Sequence, residues 1–134
     1  MTEIIVQTSS RSQLIDITKE LKRLIRKNEW KDGLLAVWTP HTTAAITVNE
    51  NADPDVPADI TSFLNNKIPK NWGFSHMEGN SDAHIKSSLV GCSETIMVED
   101  GKMLLGTWQG IFFCEFDGPR NRKVWVKFIS NISM

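Results

Sequence analysis

The sequence predicts one α+β domain, spanning residues 1–134, with about three helices packed on a mixed, mostly antiparallel β-sheet or sandwich. The length favours a single domain. Short β-branched and aromatic runs, separated by Gly, Pro and Asp, fill the start and the final third of the chain. Helical periodicity is confined to three segments between them. Strands, then helices, then more strands are typical of α+β proteins.

The first 30 residues predict a strand and an amphipathic helix. Residues 4–6 form the strand, and residues 11–15 are its expected partner. Asp16 is the predicted N-cap of a helix over residues 17–27, because a carboxylate there accepts the first free N–H groups. The apolar residues of this helix recur at helical spacing and predict one buried stripe.

The middle of the chain predicts two more strands and two more helices. The strands cover residues 34–39 and 43–48. The second helix is predicted to begin at Asp53-Pro54, an N-cap followed by proline at the first helical position, and Pro57 is the alternative for that position. Its predicted buried stripe consists of Val56, Ile60, Phe63 and Leu64. Residues 65–81 contain helix breakers and are interpreted as a long loop, which in a small domain is often functional.

Asp82 is the predicted N-cap of the third helix, which ends at Gly91. Ile85, Leu89 and Val90 are expected to face inward. Beyond this helix, residues 95–98 and 102–105 flank a Glu99-Asp100-Gly101 turn and predict a hairpin. Residues 111–116 and 123–129 predict a second strand pair, joined by Asp117-Gly118-Pro119.

Composition excludes several classes of protein. Fifteen Lys and Arg residues against sixteen Asp and Glu give a net charge of -1, without the basic excess of a nucleic-acid binder. No apolar run approaches the roughly 20 residues of a membrane helix, and the N-terminus does not resemble a signal peptide. Cys92 and Cys114 form no CxxC pair and are expected to be reduced. A cytoplasmic protein without nucleic-acid or membrane partners is therefore expected.

Only three histidines occur, His41, His76 and His84. His41 follows a predicted strand end, His84 lies in the first turn of the third helix, and His76 lies in the long loop. Three imidazoles with one open position would suit a divalent metal such as zinc, although no HExxH motif is present. Acid–base chemistry without a metal, or three unrelated histidines, are the alternatives.

Three further motifs carry polar groups. Glu50, in Asn49-Glu50-Asn51-Ala52-Asp53, is not explained by helix capping and could orient a histidine or hold a divalent ion such as magnesium. Trp108 could stack on a heterocycle while Gln109 hydrogen-bonds its edge, or both could belong to the core. Arg120, in a basic turn, could bind phosphate or be solvated.

These pieces together resemble a known family. His41-Thr42-Thr43-Ala44-Ala45 with Val48-Asn49-Glu50-Asn51-Ala52-Asp53-Pro54-Asp55 is similar to its first motif, and Asp82-Ala83-His84-Ile85-Lys86 to its second. Ser93, Ile96, Val98 and Gly101 leading into Gly106-Thr107-Trp108-Gln109-Gly110-Ile111 is similar to its third. The family is named for a secondary thiamine-phosphate synthase activity. Its members are expected to be homotrimeric α+β proteins.

The resemblance implies a transferase that joins hydroxymethylpyrimidine diphosphate to a thiazole phosphate and releases diphosphate. The matched positions nominate the site residues His41, Asn49, Glu50, Asp82, His84, Trp108, Gln109 and Glu115. We expect His41, His84, Glu50 and Asp82 to be catalytic, and Asn49, Trp108, Gln109, Glu115 and Arg120 to bind a small phosphorylated substrate. A zinc or magnesium ion is expected on His41, His76 and His84.

Two other functions stay open on the sequence alone. A metal-dependent hydrolase could use the same histidines and carboxylates. A non-catalytic, trimeric ligand-binding protein is the other alternative, because residues 111–113 and 124–126 contain more apolar side chains than one sheet face needs.

Overall fold

The structure is a computed structural model and describes residues 1–131. Its elements, in chain order, are β1 (Thr2–Gln7), β2 (Gln13–Asp16), α1 (Thr18–Asn28), β3 (Gly33–Trp38), β4 (Ala44–Glu50), α2 (Asp55–Lys67), α3 (Ser81–Val90), β5 (Ser93–Glu99), β6 (Lys102–Met103), β7 (Gln109–Glu115) and β8 (Asn121–Ser130). The predicted α+β class, with three helices on mostly antiparallel sheets, is confirmed. No helix among these residues is long and apolar enough to cross a membrane.

The strands form two antiparallel sheets around one main core. The larger sheet has the order β1-β8-β3-β5-β6, and the smaller one has the order β2-β7-β4. Alternate side chains of both sheets enter the core, including Leu35, Val126, Ile46 and Phe113. Helix α1 adds Leu21 and Ile25 to this core, as its periodicity predicts.

Two predicted strand pairings are wrong. β2 pairs with β7 instead of β1. β7 and β8, expected to form one hairpin, lie in different sheets, with β8 between β1 and β3. The apolar residues Ile111, Phe112 and Phe113 are consequently buried within the chain. They do not supply the exposed surface that the predicted trimer was argued to need.

The buried faces of α2 and α3 differ from the predicted buried stripes. No residue of α2 is fully buried, and Phe63 is 61% exposed. In α3 the buried face is Asp82, Ala83, Lys86 and Ser87, whereas Leu89 is 69% exposed. The face turns inward because Asp82 and Lys86 pair with each other and because Ser87 Oγ donates to the carbonyl of Ala44.

The predicted helix caps also differ. α1 begins after Ile17, although Asp16 still accepts hydrogen bonds from the Thr18 amide and hydroxyl. α2 begins after Pro54, which takes the N-cap position itself. α3 begins after Asn80, so Asp82 lies inside its first turn and caps nothing. Asp82 is therefore available for ion pairing.

Candidate functional site

One cleft brings the three histidines together at an end of the smaller sheet. His41 lies in the connection between β3 and β4, His76 in the loop after α2, and His84 in the first turn of α3. The cleft has a volume of about 440 Å³. Its other lining residues are Pro40, Thr42, Thr43, Glu78, Asn80, Asp117, Arg120 and Arg122.

His41 is held in a defined protonation state. Its Nε2 accepts a hydrogen bond of 2.9 Å from the backbone N–H of Lys123. An accepting ring nitrogen carries no proton, so the neutral ring carries its proton on Nδ1. Burial lowers the pKa of His41, and the positive charge of Arg122 lowers it further, against an opposing effect of Glu115. His41 is therefore a neutral donor in a net positive field.

A buried ion pair lies behind His41. Arg122 and Glu115 are 2% and 0% exposed, and Nε of Arg122 donates to Oε1 of Glu115 over 2.9 Å. Thr8 also donates to Glu115, and Arg122 Nη2 donates to Thr43 Oγ1. Burial would raise the pKa of Glu115, but these hydrogen bonds and the Arg122 charge lower it. Glu115, predicted to bind substrate, is thus engaged inside the protein.

Asp117 organises the exposed rim of the cleft. Its Oδ2 accepts from Asn80 Nδ2 at 2.8 Å and from Arg120 Nη2 at 3.2 Å. Arg120 Nε donates to the carbonyl of Asp117. The guanidinium of Arg120 is thereby oriented while its side chain remains 51% exposed. Arg120, predicted to bind phosphate, lies where a ligand could reach it.

His76 and His84 form a pair in the cleft. Their ring centroids lie 5.5 Å apart, and the rings meet edge to face at 87°. His76 Nε2 is 3.9 Å from a carboxylate oxygen of Glu78. The pair adjoins the N-terminus of α3, where backbone N–H groups lack intrahelical partners.

Asp82, predicted to be catalytic, is buried next to the cleft instead of lining it. Its side chain is 0% exposed and is bound by Arg11 at 2.9 Å and by Lys86 at 3.0 Å. Lys86 Nζ also donates to Asn65 Oδ1. This network ties α3 to α2 and to the segment before β2. Asp82 therefore positions the first turn of α3, which carries His84.

The remaining predicted residues lie at the opposite end of β4. Register pairs Ala44 with Glu115 at one end and Glu50 with Gln109 at the other. Six residues at roughly 3.3 Å each separate the two ends by about 20 Å. Asn49, Glu50, Trp108 and Gln109 are thus remote from His41 within one chain.

Local hydrogen bonds occupy several of these remote side chains. Asn49 accepts from the Glu50 amide, Glu50 accepts from the Asp53 amide, and Gln109 accepts from the Gly106 amide. Trp108 is 61% exposed, so it is not a core tryptophan. Within one chain, the residues expected to form a single polar site therefore lie in two separate groups.

The predicted metal site does not assemble in one chain. Among residues 1–131, no three His, Cys, Asp or Glu side chains converge as a metal-binding group. Nε2 of His41 is already bound to the Lys123 amide. The set His41, His76 and His84 shares a cleft but does not fit an ion in this conformation. A bound divalent metal stays a prediction.

Sequence reasoning missed the residues that support the cleft. Arg11, Asn80, Asp117 and Arg122 were not nominated. Arg122 could have been found from the alternation of β8, which places it on the same face as the buried Val124 and Val126. Asn80 immediately precedes a helix, a usual position for a polar cap. Arg11 is bound to partners far along the chain, which leaves no local signal.

Fold and site together define a class: a small two-sheet α+β protein with a histidine- and arginine-lined cleft at one sheet end. Residues 2–131 match the family described as UPF0047 protein YjbQ-like. The chain belongs to this family.

Several relatives cover nearly the whole chain. A UPF0047 protein of Methanocaldococcus jannaschii is 60% identical over 94% of this chain and 91% of its own length. The UPF0047 protein YugU of Bacillus subtilis is 46% identical over 92% and 95%. A solved structure of a YjbQ/UPF0047 family protein from Clostridium acetobutylicum is 53% identical, with a TM-score of 0.94 over 96% of this chain and 100% of that one.

These matches correct the family expected from the motifs. The family shown is YjbQ/UPF0047, described as uncharacterised, and nothing in these descriptions indicates a thiamine-phosphate synthase. The predicted family name, the joining of a pyrimidine diphosphate to a thiazole phosphate, and the transferase class are therefore wrong.

Proposed function

We propose that the cleft lined by His41, His76, His84 and Arg120 binds a small phosphorylated molecule and transfers protons to or from it. The observation that carries this proposal is the state of His41, a neutral Nδ1–H donor in a field of cationic side chains. A phosphate group would accept from such a donor and would be attracted by the same charges.

Arg120 supplies the exposed cation of the site. A guanidinium presents planar paired donors that match phosphate oxygens. Arg122 contributes charge from behind His41, although Glu115 balances much of it. The volume of about 440 Å³ lies within the size range of small-molecule sites.

His76 and His84 are the proposed proton-transfer groups. Imidazole is the side chain best suited to proton transfer near neutral pH. Because the two rings are in contact, a neutral ring can stabilise the positive charge of its protonated neighbour. Two protonated rings would repel each other. His41 is not assigned this role, because a proton on its Nε2 would oppose the Lys123 N–H.

The binding proposal is tested by calorimetric titration with glycerol 3-phosphate. Arg120→Ala is expected to weaken binding by roughly tenfold or more, since a hydrogen bond to a charged group contributes roughly 1.5–3 kcal/mol. Arg23→Ala is the matched control, because Arg23 and Arg120 are both exposed and each pairs with an acid at i,i+3 spacing. Absence of binding to the unmodified protein, or equal weakening in both variants, would contradict the proposal.

We also propose self-association, as a homotrimer, through the outer face of the larger sheet. Trp38 is 46%, Met97 59% and Ile129 52% exposed, and no helix covers them in the described chain. Lys127 and Glu99 lie among these apolar residues, so two copies could pair opposite charges across the face. The cytosol is the proposed compartment, because Cys92 and Cys114 are unpaired thiols.

A further inference from the structure

A second cleft lies between α1 and the hairpin that joins β5 to β6, away from the histidines. Its volume is about 600 Å³. Its lining residues are Lys22, Ile25, Arg26, Glu29, Trp30, Lys31, Asp100, Gly101, Lys102 and Met103. None of them belongs to the proposed site, and among them Gly101 alone lies in the motifs on which the sequence resemblance rests.

Positive charge converges on this cleft from three chain segments. Lys22 and Arg26 come from α1, Lys31 from the connection to β3, and Lys102 from β6. None of the four makes an ion pair within residues 1–131. Four cations against two carboxylates leave a formal charge of +2, whereas the whole chain carries -1.

Helix stability does not account for this arrangement. Lys22 and Arg26 are four residues apart, a spacing at which like charges repel. A cation near a helix C-terminus is favourable, and both Arg26 and Lys27 lie in the last turn of α1, so this effect accounts for Arg26 but not for Lys22. Lys31 and Lys102 lie outside the helix altogether. A bound anion would relieve the repulsion between these groups.

The floor and walls of the cleft define the rest of the ligand. Ile25 is buried, and Trp30 and Met103 pack partly buried against the core, so the floor is apolar. Trp30 also stacks on Phe128 at 5.2 Å, which holds the indole in place. The hairpin is fixed by the Gly101 amide, which donates to the Lys31 carbonyl over 2.9 Å.

Glu29 and Asp100 place two carboxylates on the same cleft. They would repel a ligand that is anionic throughout. They would accept hydrogen bonds from a ligand that also carries amino or hydroxyl groups. We infer that this cleft binds a small polyanion with an apolar or aromatic, donor-bearing part, the chemistry of a nucleoside polyphosphate.

Calorimetric titration of the full chain with ATP and with tripolyphosphate tests this inference. ATP is expected to bind more tightly than tripolyphosphate, because only ATP has a ring system for the Trp30 floor and N–H donors for the carboxylates. The double variant Lys22→Gln/Arg26→Gln is expected to weaken ATP binding by roughly tenfold, because it removes two exposed ionic contacts.

The matched control is Lys19→Gln/Arg23→Gln, which removes two charges at the same i,i+4 spacing from α1 outside the cleft. It is expected to change ATP affinity by less than about twofold. Equal weakening in the two double variants would overturn the inference, as would ATP binding no tighter than tripolyphosphate. If Arg120→Ala alone weakened ATP binding, ATP would be bound in the histidine cleft, and this result would also overturn the inference.

Discussion

Replacing Asp82 by asparagine should lower the free energy of unfolding, because Asp82 belongs to a buried ion pair and does not line the cleft. Asp82 is fully buried between Arg11 and Lys86. Burial would raise its pKa, but the hydrogen bonds from Arg11 and Lys86 outweigh burial and lower the pKa from 3.8 to about 2. One pKa unit corresponds to about 1.4 kcal/mol, so the ionised form contributes on the order of 2 kcal/mol.

Asp82→Asn also leaves Lys86, which is 1% exposed, without its counter-charge. Removing one partner of a buried ion pair typically costs about 3–5 kcal/mol. We therefore expect a loss of roughly 3 kcal/mol in the free energy of unfolding, measured by urea denaturation at neutral pH. Asp59→Asn, at an exposed position of α2, is the control and should change stability by less than about 0.5 kcal/mol.

The double variant Asp82→Asn/Lys86→Met separates pairing from packing. It removes both buried charges, so it should recover more than half of the loss. The lowered pKa also predicts a pH window. Stability from Asp82 is fully present above the unfolded pKa of 3.8 and is lost as pH falls towards 2. A loss below about 1 kcal/mol in the single variant, with an unchanged acid profile, would refute the reasoning.

Three other predictions concern packing, pH and assembly. Gly110→Ala should destabilise by about 1–3 kcal/mol, since its Cβ would lie 2.3 Å from Asn51 Nδ2 and 2.8 Å from Asn51 Cβ, and adding Asn51→Gly, which removes both atoms, should restore part of the stability in urea denaturation. The pKa of His41 is lowered from 6.5 in the folded protein, so as the pH falls the unfolded state takes up this proton before the folded state does. The free energy of unfolding should therefore decrease as the pH is lowered below about 6.5, and His41→Asn should remove this dependence. Trp38→Glu should shift light scattering towards the monomer, and a monomeric unmodified protein would contradict the assembly.

Local patterns predicted the elements better than their arrangement. The periodicity of α1 and the alternation of the strands reflect burial of neighbouring residues, and both were read correctly. The face of α3 could not be predicted, because its apolar residues suggested one orientation while Arg11 and Asn65, distant in sequence, pair with Asp82 and Lys86. The assignment of β7 and β8 to different sheets depends likewise on long-range pairing, which a turn sequence does not encode.

The candidate site shows the same division. His41, His76, His84 and Arg120 were nominated from the sequence and do share a cleft. Glu50 and Trp108 were nominated with them, yet they lie at the other end of the β4–β7 pair, because the first motif extends along β4 and Trp108 immediately precedes β7. The Lys123 amide that determines the tautomer of His41 could not be foreseen, since a backbone group carries no signal in its residue type.

The histidine cleft is proposed to bind phosphate through a neutral His41. Nitrogen-resolved NMR of the three imidazoles, with and without glycerol 3-phosphate, tests it most directly. We expect the free protein to show His41 protonated on Nδ1, with a pKa below its ordinary value. We expect the ligand to shift all three histidines and to raise the pKa of His41. A proton on Nε2 in the neutral ring, or histidine signals that the ligand leaves unchanged, would contradict the account.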